Sequence, residues 1–231
     1  MSKTAIIVSH GQPSDPVPAA ADLAVLARAV AAHLPEWQVR SATLAEPGAL
    51  ARVMAGAGGG VIYPLFMAGG WFVTTHLPKL VAEADAGSWR ILAPFGLDGS
   101  IQDLCLTLAT EAAAAQGRTP GETAVLLAAH GSFRSPAPSE VARAMAHRLV
   151  QEVGFARAEA YFIDQEPRIA TAAGFGAAAI CLPFFAAKGG HVTDDLPAAL
   201  HEAQFGGLVL PPLGSDHRVP ALIAAAIIGA D

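Results

Sequence analysis

The sequence predicts an α/β protein of two tandem-duplicated, flavodoxin-like lobes, each built on a parallel four-stranded sheet. Three observations predict it. Landmarks recur in the same order at a nearly constant offset: IIVSHGQ (6–12) returns as LLAAHGS (126–132), ARAVAAHL (27–34) as ARAMAHRL (142–149), and APFGLD (93–98) as PPLGSD (211–216). Glu46-Pro47 likewise returns as Glu166-Pro167, and the series Pro64, Val73, Thr74, Leu77, Pro78 as Pro183, Val192, Thr193, Leu196, Pro197. So many landmarks in one order mark a duplication. Short apolar runs alternate with Ala-rich stretches of helical period, the pattern of βα units. Finally, the runs are uniformly apolar rather than alternating, which suits strands covered by helices on both faces.

Taken along the chain, strands are expected near 4–9, 38–43, 60–66 and 90–94, with helical stretches between them. The segment AAAAQGRTPGET (112–123) ends a helix in Gly and Pro and reads as a linker between an N-terminal lobe, 1–116, and a C-terminal lobe, 117–231. In the second lobe strands are expected near 124–129, 158–163, 178–184 and 207–211, and helices near 138–153, 167–174, 192–204 and 217–229.

Composition narrows the class. A chain of 231 residues can bury one large core or two cores of half that length. With 53% hydrophobic and 15% charged residues and a net charge of −6, it lacks the basic surface that binding to phosphate backbones requires, so nucleic acid is not an expected partner. Cys105 and Cys181 stand inside apolar strings and read as small buried hydrophobes, not as a disulfide or thiolate metal site. The apolar stretch after Met1 is too short for a signal peptide, and ALIAAAIIGA (221–230) falls short of the roughly 20 residues that span a bilayer. The expectation is a cytoplasmic protein with no membrane role.

Open parallel sheets bind ligands at the carboxyl ends of their strands, where strand order reverses. His130 follows the first strand of the second lobe, Asp164 the second and His191 the third, so all three should reach one rim. Two imidazoles and a carboxylate suit a borderline divalent ion such as Co²⁺, Fe²⁺, Ni²⁺ or Zn²⁺.

The segments AAHGS, FIDQEP and LPFFAAKGGHVTDDLP resemble signatures of the class II tetrapyrrole chelatases, in particular sirohydrochlorin chelatases of the CbiX type. That resemblance implies the class II chelatase fold, two α/β lobes enclosing a cleft, and insertion of a divalent metal, Co²⁺ or Fe²⁺, into sirohydrochlorin without ATP. Cobalt is set ahead of iron, for the cobalamin branch over siroheme, and no cofactor is permanently bound. It also implies that His130 and His191 form the catalytic pair and ligate the metal with Asp164. In the first lobe His10 matches His130, Phe72 takes the place of His191, and Leu44 that of Asp164. The polar site is thus expected only in the second lobe, with the first supplying an opposing wall.

Around that site, Phe133, Trp71 and Phe72 are candidates for an apolar slot, together with Phe184 and Phe185, which are equally at home in the core. Gly189 and Gly190 would let the backbone turn and approach a flat ligand. Arg134 and Lys188 are candidate rim contacts to a substrate rich in carboxylates, or solvated loop charges. Asp194 and Asp195 read as first-turn acids that favour the positive end of a helix. His10 reads three ways: a vestige, a metal-entry residue, or part of the cleft. His33, His147 and His201 read as surface residues, while His76 and His217 are weaker site candidates. A binding protein of this fold without turnover is the alternative, and phosphotransfer is disfavoured because neither GxGxxG nor GxxxxGK[ST] occurs.

Overall fold

The computed structural model describes residues 3–12, 16–84 and 86–230. In the first half, β1 (Lys3–Ser9), α1 (Pro16–Ala31), β2 (Trp37–Thr43), α2 (Ala49–Met54), β3 (Gly59–Pro64), α3 (Leu77–Ala84) and β4 (Ser88–Ile91) follow in turn, and α4 (Gly99–Ala115) leads out. The second half runs β5 (Ala124–Ala129), α5 (Ala137–Arg148), β6 (Arg157–Phe162), β7 (Ile180–Pro183), α6 (Leu196–Glu202), β8 (Leu208–Val209) and α7 (Val219–Ile228). Two four-stranded parallel sheets result, ordered β2-β1-β3-β4 and β6-β5-β7-β8. This is the reversal of strand order expected from the sequence, and it opens each crevice beside the central strand.

The apolar runs become strands because they are buried on both faces. Ala5 to Val8 of β1 and Val125 to Ala129 of β5 are buried throughout, each large side chain contributing about 1.5–3 kcal/mol of transfer free energy. Helices turn one stripe inward: Leu23, Ala27 and Val30 on α1, and Val141, Ala142, Met145 and Ala146 on α5. Both α3 and α6 are entered through a π-helical turn, Phe72–His76 and His191–Asp195, that follows the loop after β3 or β7.

One expectation is corrected. No helix spans 167–174; only a 3₁₀ turn forms at Ile169–Thr171, and the backbone is extended on both sides of it, at Arg168 (φ −73°, ψ 143°) and at Ala172 (φ −66°, ψ 112°). Packing divides the chain differently from the repeat boundary at 116/117: one compact unit is Met1–Asp98 with His217–Asp231, the other Gly99–Asp216. In the second unit α4 buries Ile101, Leu104, Cys105 and Ala109 and packs on β7, while Arg148 bonds Gln102 and Asp103 at 3.0 and 2.9 Å. In the first, α7 packs on α1 and β3, and Arg90 donates to the carbonyl of Ala230 at 2.7 Å. Among the described residues no helix is long and apolar enough to cross a membrane.

Candidate metal centre

The loop after β5 is shaped by Gly131. Its φ of +76° belongs to the left-handed region, and a Cβ there would lie 2.6 Å from Cγ of Gln165. Gln165 in turn accepts the Ser132 amide at 2.8 Å, pinning the loop to the end of β6. His130 is thereby delivered to the carboxyl rim of the sheet with its Nδ1 2.9 Å from the carbonyl of Gly131. Asp164 lies beside it: its amide donates to the His130 carbonyl at 2.9 Å, and its Oδ2 is 3.6 Å from His130 Nε2. From the π-helical turn after β7, His191 reaches the same place. The two Nε2 atoms are 2.9 Å apart, and the rings meet edge to face.

Hydrogen-bond accounting fixes the chemistry of this pair. A backbone carbonyl and a carboxylate only accept, so His130 Nδ1, facing the Gly131 carbonyl, and His191 Nδ1, 2.7 Å from Asp195 Oδ2, both carry protons. In the neutral rings both Nε2 atoms then present lone pairs to each other. Two lone pairs at 2.9 Å require a proton or a cation between them. Metal–imidazole bonds are about 2.0–2.1 Å, so nitrogens at this separation subtend about 90° at a shared ion, the angle of neighbouring positions in an octahedral shell. Among the described residues no group of three or more His, Cys, Asp and Glu side chains is drawn together tightly enough to hold a metal ion by itself. The arrangement is an open two-nitrogen seat with a carboxylate at its side. His130 and Asp164 are over a third exposed and His191 about half, so an ion can arrive and leave.

The other sequence candidates distribute unevenly. Phe133 stands 74% exposed three residues beyond His130, with the Arg168 guanidinium 5.5 Å from its ring, so it is an aromatic surface and not core. Arg134 and Lys188 are exposed loop residues. Phe184 and Phe185 are buried at 1% and 7% exposure and belong to the core, which ends their candidacy for the slot. Gly189 and Gly190 do not make a sharp turn. Gly190 adopts ordinary right-handed helical geometry, φ −50° and ψ −37°, and a Cβ at Gly189 would meet nothing within 4 Å. Gly189 leaves open space before His191, while a Cβ at Gly190 would meet Oδ2 of Asp194 at 3.6 Å. Cys181 and Cys105 are held as thiols, pushed up to about 12 by burial, and are not metal ligands. His33, His147, His201 and His217 are exposed, and α7 begins only at Val219.

In the first unit Trp71, Phe72 and His10 form an aromatic cluster with Phe66 and His76. His10 packs against Phe72 with centroids 4.3 Å apart, and its Nδ1 is buried without a hydrogen-bond partner. The sheet ladder also revises one correspondence. Ala45 donates its amide to the His10 carbonyl as Asp164 does to His130, so Ala45, not Leu44, stands where Asp164 does. Sequence reasoning undervalued three residues: Gln165, Arg168 and, above all, Asp195. The i, i+4 spacing from His191 to Asp195 was the available signal.

Parallel sheets of this order with an imidazole pair at the rim define a class II chelatase fold, and comparison with known proteins agrees. A family model described as CbiX matches residues 124–230. A solved structure of CbiX, described as the terminal enzyme for biosynthesis of siroheme in denitrifying bacteria, is 49% identical, with a TM-score of 0.89 over 99% of this chain and 100% of that one. The chain belongs to the CbiX family of class II chelatases. Two more distant structures share the fold. SirB from Bacillus subtilis with Fe³⁺ is 16% identical, TM-score 0.72, over 99% of this chain and 95% of that one. DR2241 from Deinococcus radiodurans, a multi-domain protein, is 17% identical, TM-score 0.73, over 98% of this chain and 55% of that one. Among curated proteins none matches.

Proposed function

We propose that this protein inserts a divalent metal ion into sirohydrochlorin without ATP. The observation that carries the reading is the pair of Nε2 lone pairs facing each other at 2.9 Å, flanked by Asp164, at the carboxyl rim of the second sheet. The reaction exchanges one M²⁺ for the two N–H protons of the free macrocycle, so charge balances without an energy source. His130 and His191 receive the ion in exchange for the proton that otherwise bridges them, and hand it to the pyrrole nitrogens. Once vacated, the imidazoles are the nearest bases for the departing protons. Asp164 offsets the cationic charge and supplies a third ligand when the ion draws closer. An open, weakly held seat suits this work, because a closed cage would retain its cargo.

The exposed Phe133 and Trp71 and the half-buried Phe72, with Arg134 and Lys188, are proposed contacts for the pigment and its carboxylates. The donor set accommodates Co²⁺ and Fe²⁺ alike. The siroheme role of the 49% identical relative weighs toward Fe²⁺. Anaerobic insertion assays with Co²⁺, Fe²⁺ and Ni²⁺, read from the product absorption spectrum, test both levels: no rate above spontaneous insertion with any ion rejects the chelatase reading. A higher kcat/KM for Fe²⁺ assigns the protein to siroheme synthesis.

A further inference from the structure

One side chain holds His191 from behind. Asp195, four residues on in the same π-helical turn, places Oδ2 2.7 Å from Nδ1 of the imidazole. Both side chains are 52% exposed, and an exposed ion pair adds little to stability, so the contact acts on direction more than on folding. Metal-ligating histidines commonly donate their second ring N–H to a carboxylate, which fixes both tautomer and ring orientation. We propose that Asp195 is a positioning residue: it keeps the His191 proton on Nδ1 and aims the Nε2 lone pair at Nε2 of His130, where the incoming cation is received. The proposal rests on the chelatase reading above.

Three features support it. His130 has its own anchor, the Gly131 carbonyl, so without Asp195 only one of the two rings would be fixed. Asp194, one residue earlier, stands outside the contact, with its Oδ2 directed toward Gly190 instead. In the equivalent turn of the first unit, Phe72 replaces the imidazole and His76 the carboxylate, so both members of the pair are missing together. With no acceptor behind it, a half-exposed imidazole rotates more freely and carries its proton on either nitrogen. A proton on Nε2 abolishes its capacity as a ligand.

The experiment combines ring-nitrogen NMR of the metal-free protein with insertion kinetics for Asp195→Ala, Asp195→Glu and Asp194→Ala. In the wild type His191 is expected to keep its proton on Nδ1, any proton at Nε2 being shared with His130. Asp195→Ala should shift it toward Nε2–H and raise the KM for the metal about 10–100-fold, while the KM for the tetrapyrrole stays unchanged. Asp195→Glu should restore most of both, and Asp194→Ala should alter neither. The proposal is overturned by an Nε2–H tautomer in the wild type, by an unchanged metal KM in Asp195→Ala, or by both KM values rising together, which would mean general loosening of the turn. The tautomer measurement needs neither metal nor pigment. Wild-type protein that inserts no metal would therefore sink the chelatase reading separately, and a variant that fails to fold leaves the wild-type tautomer to decide.

Discussion

At the rim of the first sheet His10 and Phe72 meet with ring centroids 4.3 Å apart; at the rim of the second, His130 and His191 meet at 4.2 Å. The turns that deliver the second ring also coincide: Trp71 has φ −48° and ψ −38°, Gly190 φ −50° and ψ −37°. The duplicated backbone thus brings two rings together whatever their chemistry. Three substitutions separate an aromatic cluster from the proposed cation seat: Phe72 against His191, His76 against Asp195, and Ala45 against Asp164. A fourth, Trp71 against Gly190, sets an indole in one unit where the other has no side chain. The scaffold sets position, and a handful of side chains set function.

The hardest test of this division removes the imidazoles one unit at a time. His130→Ala and His191→Ala should each lower the rate of metal insertion by about 10²–10⁴-fold, the range typical of lost acid–base and ligand groups, with secondary structure intact. His10→Ala should cost far less, because its Nδ1 has no partner and Phe72 offers it no second nitrogen. Equal losses in all three would end the assignment of chemistry to the second unit.

The next test copies a difference instead of deleting one. Because Gly190 already has the backbone conformation of Trp71, Gly190→Trp should fold with a melting temperature near that of the wild type. The new indole would occupy the space beside His191, so binding of the tetrapyrrole, followed by quenching or absorbance, should weaken by at least about tenfold, the loss of about 1.4 kcal/mol. Metal binding in the absence of pigment should persist. Unchanged pigment affinity would show that this space is not where the macrocycle lies.

The two rims differ in how plainly the sequence alone displays them. Strands and their order were legible because buried parallel strands are written as continuous apolar runs, and the His-Gly and GGHVTDD segments mark their ends. Correspondence between the halves was legible only to within a residue. Ala45 and Leu44 are adjacent, and the ladder that chooses between them is formed by backbone amides, which carry no sequence signature. The unit boundary was hidden for a related reason: the apolar faces of α4 and α7 show that each is packed, not on which sheet. The part of Asp195 is hidden in the sequence because an acid in a first helical turn has an ordinary electrostatic role, and only a distance distinguishes that from a hydrogen bond to His191.

Buried acids give the two units different responses to alkali. Cys105 and Cys181 of the second unit are pushed up to about 12 by burial, and Tyr63 of the first is pushed well above the usual phenol range by burial and the Asp98 carboxylate, to which its hydroxyl donates at 2.9 Å. A raised folded-state value means that the unfolded chain gives up its proton first. The stability tied to each group is complete below its unfolded pKa, about 8.5 for Cys and about 10 for Tyr, and falls as pH rises toward the folded value. The slope is about 1.4 kcal/mol per pH unit per group. The second unit should therefore weaken from about pH 8.5–9 and the first only near pH 10. All three tryptophans, Trp37, Trp71 and Trp89, lie in the first unit, so circular dichroism in mild denaturant should decline at lower pH than tryptophan fluorescence. Cys105→Ala with Cys181→Ala should bring the two curves together.

The smallest effect, and the sharpest use of the comparison, is a gain. Ala45→Asp, Phe72→His and His76→Asp together write the second rim onto the first. The ring spacing there already matches to within 0.1 Å, at 4.3 against 4.2 Å, and the turn that carries residue 72 has the same backbone. His10 Nδ1, however, lacks the carbonyl contact that orients His130, and Trp71 still overhangs the turn, so the added seat should be weaker than the original. Calorimetric titration with Co²⁺ should change from one site per chain to two, the second of lower affinity, and His10→Ala in that background should remove only the new one. If the triple variant binds a single ion, the shared backbone does not suffice to build the seat, and residues beyond the rim, beginning with the Gln165-pinned loop around Gly131, must contribute to its geometry.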